Sequence, residues 1–157
     1  MQIEFRKPTL ADVDLYFKWT NDEVVRQNSY DQEPIPYKDH VEWFKQKLTS
    51  PNCFFYLFTL QNDPVGQVRI EIKLEETIIG ISIDTHHRGK GLGARMIEMA
   101  CADHFKRAHT QQIYAYIKES NQGSIVIFKK AGFKNEEHVM VKGIKSVKLC
   151  KAKRHGF

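Results

Sequence analysis

The stretch Arg88-Gly89-Lys90-Gly91-Leu92-Gly93-Ala94 places three glycines and two cations directly after the apolar residues Ile81, Ser82 and Ile83, and directly before a segment of helical periodicity. Glycine lets backbone N–H groups approach a ligand with no Cβ in the way. A helix N-terminus adds unpaired N–H donors at the positive end of its dipole. Together these make a cradle for an anion, and a diphosphate is long enough to engage several successive donors. Arg88 and Lys90 bring positive charge to the same mouth. Two familiar nucleotide loops are excluded: GxxxxGK[ST] is absent, and Met96 stands where GxGxxG requires its last glycine.

The elements around this loop follow from periodicity. Residues 2–6 alternate, with Ile3 and Phe5 on one side, and Pro8-Thr9 opens a helix carrying Leu10, Val13 and Phe17. Residues 21–36 are polar, hold two prolines and predict a loop with a helical turn around Val24 and Val25. Asp39 is placed to cap a second helix, in which His40, Trp43, Phe44 and Leu48 recur on one face. Residues 53–60, 65–73 and 77–84 predict three strands joined by short hairpin connections. A long helix follows, with Leu92, Met96, Ala100, His104 and Ala108 at four-residue spacing. Then come a strand over 112–118, a helix over 121–131 closed by Gly132, and one or two strands from Phe133. The order β α α β β β α β α β β predicts an α+β fold. Residues 1–157 would form one domain, with a mixed, mostly antiparallel central sheet of about seven strands flanked by about four helices.

Composition agrees with one domain. The 157 residues, 41% hydrophobic and 27% charged, are ordinary for a globular chain and exclude disorder and repeat arrays. No apolar run approaches the roughly 20 residues of a membrane-spanning helix. The first residues carry an acid where a secretion signal has an apolar block, so the expected location is the cytoplasm. Lysine plus arginine exceed aspartate plus glutamate by 24 − 19 = 5. Lys142, Lys145, Lys148, Lys151, Lys153 and Arg154 crowd the C-terminal end without an acid, which predicts a solvated edge strand guarded by lysines. A membrane is not an expected partner, and nucleic acid is the weaker use of that strip. Cys53, Cys101 and Cys150 are widely separated and predict reduced thiols. His86 and His87 are adjacent and cannot share one metal from one face, so no metal is expected.

The glycine loop resembles the acetyl-CoA signature [QR]xxGx[GA] of the GNAT superfamily of N-acetyltransferases. A second block, Asn121, Ser124, Ile125 and Phe128-Lys129-Lys130-Ala131-Gly132-Phe133, stands where members carry N-x-x-[AS]-I-x-x-[YF]-x-K-x-G-F. The resemblance covers essentially the whole chain. It implies acetyl-CoA as cosubstrate, with the pyrophosphate on the backbone of Arg88, Gly89, Lys90, Gly91, Leu92, Gly93 and Ala94. It also implies that the strand bearing Ile81 and Ile83 bonds the pantetheine arm, and that Asn121, Ser124 and Phe128 lie along the same ligand. Many members have a tyrosine at the Phe128 position to protonate the leaving thiolate. Here either the thiolate leaves unassisted or through water, or Ser82, Ser124 or Tyr116 takes the role.

Acetyl transfer needs a neutral amine, hence a proton acceptor. Glu71, Glu76, Asp84 and His86 are the candidates, with Glu71 favoured as base and Ser82 as the second catalytic candidate. Backbone N–H groups near Ile81 to Ile83 could polarise the thioester carbonyl. On the acceptor side, Trp19-Thr20-Asn21-Asp22-Glu23-Val24-Val25-Arg26, Ser29, Pro34-Ile35 and His40-Val41-Glu42-Trp43-Phe44 are similar to a pattern in acetyltransferases of bacterial pseudaminic and legionaminic acid pathways. Those enzymes acetylate the 4-amino group of a nucleotide-linked deoxysugar. The resemblance implies Trp19, Asn21, Arg26, Ser29, Tyr30 and His40 as acceptor contacts, and Arg26 has the bidentate geometry a diphosphate needs. Part of the pattern is shared with ribosomal-protein N-terminal acetyltransferases. Acetylation of a protein N-terminus or of a polyamine is therefore the enzymatic alternative, and an acetyl-CoA-binding sensor the non-enzymatic one. Pairing of the terminal strands across a homodimer stays open.

Overall fold

Gln61 and Asn62 both take left-handed backbone angles, φ 51° and 66°, and so fold the chain back as a tight hairpin between its second and third strands. This turn starts the antiparallel meander at the centre of the computed structural model, which describes residues 2–154. The strands are β1 (Ile3–Arg6), β2 (Cys53–Leu60), β3 (Asp63–Lys73), β4 (Glu76–Ile83), β5 (Gln112–Lys118), β6 (Lys134–Val141) and β7 (Ile144–Ala152). The helices are α1 (Val13–Thr20), α2 (Glu23–Asn28), α3 (Tyr37–Thr49), α4 (Leu92–Arg107) and α5 (Gln122–Lys130), with single 3-10 turns at Leu10–Asp12 and Thr85–His87. They form one seven-stranded sheet in the order β1-β2-β3-β4-β5-β7-β6, antiparallel except for β4 against β5. The predicted α+β architecture is present, with five helices among the described residues where about four are expected.

Both faces of the sheet are covered. On one, Cys53, Phe55 and Leu57 of β2 pack against Tyr16 and Trp19 of α1 and Phe44 of α3. On the other, Val68, Ile70 and Ile79 meet Met96, Ile97, Ala100 and Cys101 of α4, continuing to Ile125 and Phe128 of α5. Fully buried side chains such as Leu57 and Phe58 each contribute about 1.5–3 kcal/mol by leaving water.

The parallel junction shapes the site. β4 and β5 are in register only at Thr77 with Ile113 and Ile78 with Tyr114. Beyond that point β4 stays with β3 as far as Ile83 opposite Gly66, and β5 stays with β7 as far as Lys118 opposite Ser146. Each strand is held by its other neighbour, so the two diverge and the sheet opens as a wedge.

Three local expectations are corrected. Residues 21–36 contain a real helix, α2, because the Asp22 carboxylate accepts the Val25 amide at 3.1 Å and caps it. Asp39 does not cap α3: Pro36, extended at ψ 144°, precedes the first turn, and the His40 amide already bonds the Pro36 carbonyl at 3.0 Å. The basic C-terminal strand is not an edge. β7 lies between β5 and β6, and two of its lysines are engaged, Lys148 with Glu76 at 2.6 Å and Lys151 with the Ala131 carbonyl at 2.6 Å. The three cysteines are free thiols, Cys53 and Cys101 buried. No helix among the described residues is long and apolar enough to cross a membrane.

Candidate active site

The wedge opens into a cleft of about 870 Å³. One end is the loop into α4. Gly89 and Gly91 hold φ of 75° and 74°, a region L side chains rarely enter, and Gly91 is the N-cap of α4 with no side chain closing the helix. The amides of the first turn therefore keep no side-chain acceptor and can meet an anion. Gly93 does a different job. A Cβ there would sit 2.9 Å from Ile127 Cγ2, so glycine lets α4 close on α5.

Arg88 does not add its charge to the mouth in the expected way. Its Nε donates to the Ile83 carbonyl at 3.1 Å, and its Nη2 donates to Asp22 at 2.7 Å. Asp22 also accepts from the Thr85 hydroxyl at 2.8 Å. Burial pushes the Asp22 carboxyl up, but the bonds from Arg88, Thr85 and the Val25 amide outweigh it and hold the group below its ordinary range. Asp22 thus ties the cap of α2 to the glycine loop.

The predicted cofactor residues separate into two sets. Ile81, Ile83, Arg88, Gly89, Asn121, Ser124 and Phe128 line the cleft, whereas Lys90, Gly91, Leu92, Gly93 and Ala94 form the loop and helix start behind them. Asn121 caps α5, its Oδ1 accepting the Ser124 amide at 3.3 Å. Phe128 is 3% exposed and packs edge-on against Phe133 at 5.1 Å, so no phenol reaches the cleft from this position.

On the acceptor side, several expected contacts hold the frame together instead. The Asn21 side-chain amide bonds the Ile35 backbone in both directions, at 2.9 and 2.8 Å, and Asn21 does not line the cleft. Arg26 lines it, but its guanidinium donates to the carbonyls of Thr20 at 2.7 Å, Asp31 at 2.8 Å and Glu33 at 3.3 Å, and to Ser29 Oγ at 3.2 Å. A bidentate grip on a diphosphate is ruled out for Arg26 because most of its donors are occupied. Ser29 donates to the Val25 carbonyl at 2.6 Å, and Tyr30 to Ser146 Oγ at 2.7 Å. The Trp19 indole donates to Asp84 at 2.8 Å. His40, 2% exposed, bonds the Val13 carbonyl through Nε2 at 2.9 Å, and burial holds its pKa down, so it stays neutral. Trp19, Ser29, Tyr30 and His40 all line the cleft.

The candidate bases fare differently. Glu71 does not line the cleft. Its carboxylate is gripped by Lys47 of α3, with Arg69 Nε at 3.6 Å and Lys73 Nζ at 4.0 Å, which removes it from the place a base must occupy. Asp84 is buried. Burial raises its carboxyl, yet the Trp19 indole and the His86 amide hold it below its ordinary range, and it is outside the cleft lining, as is His86. Only Glu76 of the four lines the cleft. It bonds Lys148 at 2.6 Å and the Tyr116 hydroxyl, and both hold it ionised below its usual range. Ser82 lines the cleft with its Oγ accepting from Gln67 Nε2 at 3.2 Å, which leaves the Ser82 proton free to be donated.

Arg69, Gln67, Lys73 and Lys118 were missed by the sequence reading. All four line the cleft. The signal was present in β3, where Gln67, Arg69, Glu71 and Lys73 make one polar face of a strand that lies inside the sheet. Among the described residues, no group of three or more His, Cys, Asp or Glu side chains gathers as metal ligands would.

A sheet split at a parallel junction, with an uncapped helix start at its mouth, defines an α+β domain built to hold a long anionic ligand against a second molecule. The acetyltransferase (GNAT) domain family matches residues 2–134, and the chain belongs to that family. No curated protein matches the sequence. Among solved structures, the chain is similar to a spermidine N-acetyltransferase from Vibrio cholerae in complex with CoA and spermine, with TM-score 0.85, 18% identity and coverage of 96% of this chain and 95% of that one. It is also similar to an aminoglycoside acetyltransferase in complex with coenzyme A, with TM-score 0.83, 17% identity and coverage of 97% and 95%. An uncharacterised protein from Bacillus halodurans gives TM-score 0.81 at 19% identity, covering 96% of this chain and 83% of that one.

The protein is an acetyl-CoA-dependent N-acetyltransferase. Its residues fit the cosubstrate: the free first-turn amides of α4 suit a pyrophosphate, and the Ile79–Ile83 stretch of β4, unpaired on its β5 side, offers backbone groups to an amide-bearing arm. When bound, acetyl-CoA supplies an acetyl group activated as a thioester.

Proposed function

We propose that this enzyme acetylates a primary amine on a molecule that also carries negative charge, and that the 4-amino group of a nucleotide-linked deoxy amino sugar fits best. One observation carries the reading. Of the charged side chains lining the cleft, Arg26, Arg69, Lys73, Arg88 and Lys118 are cations and Glu76 the one carboxylate; Arg88 is paired with Asp22, Arg69 and Lys73 lie beside Glu71, and Glu76 is paired with Lys148, so the lining keeps a net positive charge. A polycationic acceptor would meet this wall with like charge, whereas an anionic one is drawn to it.

In this reading the backbone of residues 88–94 would hold the pyrophosphate, and β4 around Ile81 and Ile83 would hold the arm. Asn121, Ser124 and Phe128 would border that arm, and Trp19, Ser29, Tyr30 and His40 would wall the acceptor. Ser82, its oxygen engaged by Gln67, would offer its hydroxyl proton to the charge that develops on the departing sulfur. Among the described residues no unpaired carboxylate lines the cleft, so the ammonium would lose its proton to cleft water, and kcat/KM should rise with pH along the amine's own titration.

Release of free CoA thiol reports turnover directly. With acetyl-CoA and a panel of a UDP-4-amino-4,6-dideoxyhexose, an N-terminal peptide, spermidine and an aminoglycoside, the nucleotide sugar should give the highest kcat/KM. A higher value for spermidine or the aminoglycoside would overturn the reading.

A further inference from the structure

Three arginines line the cleft, and they are not equivalent. Arg26 is occupied by backbone carbonyls, and Arg88 by Ile83 and Asp22. Arg69 is the exception. Its guanidinium lies over the Trp43 ring, 5.0 Å from the centroid, and its Nε faces Glu71 at 3.6 Å. Among the described residues, its terminal Nη1 and Nη2 have no hydrogen-bond partner. The side chain thus lines the cleft with an indole against one face and a carboxylate beside its Nε, and its two terminal nitrogens are uncommitted.

The strand opposite leaves room for a ligand. Arg69 is in register with Gly80 of β4, and a Cβ built on Gly80 would meet nothing within 4 Å. Gly80 lies two residues past the last β4–β5 pair, on the stretch of β4 that borders the wedge. Lys73, on the same face of β3 and half exposed, adds a second cation.

The geometry points to Arg69 as the residue that anchors the oxyanion of the acceptor, gripping two oxygens of a phosphate or carboxylate while the amine end lies over the notch at Gly80. A planar guanidinium matches such a group with two parallel bonds, and stacking on an aromatic ring fixes its plane beforehand. This assignment rests on the anionic-acceptor reading above and gives it a specific residue. Trp43, which the sequence places on a packing stripe, then has a second task as the platform under the guanidinium.

The test compares matched amines that differ in one anionic group: glucosamine 6-phosphate against glucosamine, and 4-aminobutyrate against 4-aminobutanol, with the UDP-linked 4-amino sugar as a fifth substrate. The wild type should favour the charged member of at least one pair, and which pair responds distinguishes phosphate from carboxylate. Arg69→Met should lower kcat/KM for that charged amine at least tenfold, chiefly through KM, while changing the neutral partner less than twofold. Arg69→Lys should recover only part of the loss. Thermal stabilisation by acetyl-CoA should be the same in all three proteins, which shows that the variants are folded. Equal losses on charged and neutral members would overturn the role of Arg69 while leaving the anionic-acceptor reading intact. A wild type that prefers the neutral members, or that turns over none of the five and fails to bind UDP when saturated with CoA, would overturn both.

Discussion

The two halves of the cleft are built from different material. The half proposed for the cofactor is made of backbone: two left-handed glycines, an uncapped helix start and a strand released by its neighbour. The half proposed for the acceptor is made of side chains that reach across the fold, Tyr30 to Ser146, Lys118 to the Gln27 carbonyl and Trp19 to Asp84. A backbone site is specified by a few consecutive residues and tolerates exchange around it. A side-chain site depends on which distant segments the fold brings together, so the same residue type can bind a ligand or merely hold a loop.

The largest effect should come from the backbone half. Gly91→Val forces a β-branched residue into φ 74°, strain of about 1–3 kcal/mol that also misdirects the first amides of α4. The KM for acetyl-CoA should rise about a hundredfold or more, because several charge-directed N–H bonds are lost together. Thermal stabilisation by acetyl-CoA should vanish as well.

Next in size is Arg26→Ala. It strips four bonds from the 20–33 segment; water can take over at the exposed Asp31 and Glu33 carbonyls, and the part-buried bonds to the Thr20 carbonyl and Ser29 Oγ should cost about 0.5–1.5 kcal/mol each. Denaturant midpoints should fall, and the acceptor KM should rise with little change in the KM for acetyl-CoA. A variant that lost charged acceptors selectively, as Arg69→Met should, would restore Arg26 as a ligand contact.

Acid should loosen the seam between the halves. The carboxyls of Asp22 and Asp84 are held below their unfolded values, so their stabilisation is complete above the unfolded value of about 4 and is lost as pH falls through the lower folded values. Asp22→Asn should flatten the stability profile below about pH 4 relative to the wild type, read as melting temperature against pH. The smallest effect on the pH dependence of catalysis should be that of Glu71→Gln. Its carboxylate does not line the cleft, so the pH–rate profile should keep its shape even if stability drops or the acceptor KM shifts through Arg69.

The contrast also explains what the sequence made legible. The strand spans Cys53–Leu60 and Gln112–Lys118 and the start of α4 at Leu92 stand where periodicity puts them, because alternation and glycine placement are local signals. The glycine loop was legible for the same reason. α2 was only half visible, since a six-residue helix depends on its Asp22 cap and on the arginine that holds the same carboxylate from the far loop. The placing of β7 inside the sheet was hidden, because lysine content describes solvent exposure and says nothing about strand order. Nothing in the sequence near Arg69 singles it out from the other polar residues of β3. Its position depends on Trp43 in α3 and on the empty space over Gly80 in β4, neither of which is near it in the chain.

The most direct test of the central claim is a competition. Equimolar UDP-linked 4-amino-4,6-dideoxyhexose and spermidine share one pool of acetyl-CoA, and the acetylated products are counted by mass spectrometry, which reports the ratio of kcat/KM values without separate kinetics. The acetylated nucleotide sugar should dominate at low ionic strength, and its lead should shrink as salt screens the cationic wall. Acetylspermidine as the main product, at any salt concentration, would contradict that claim.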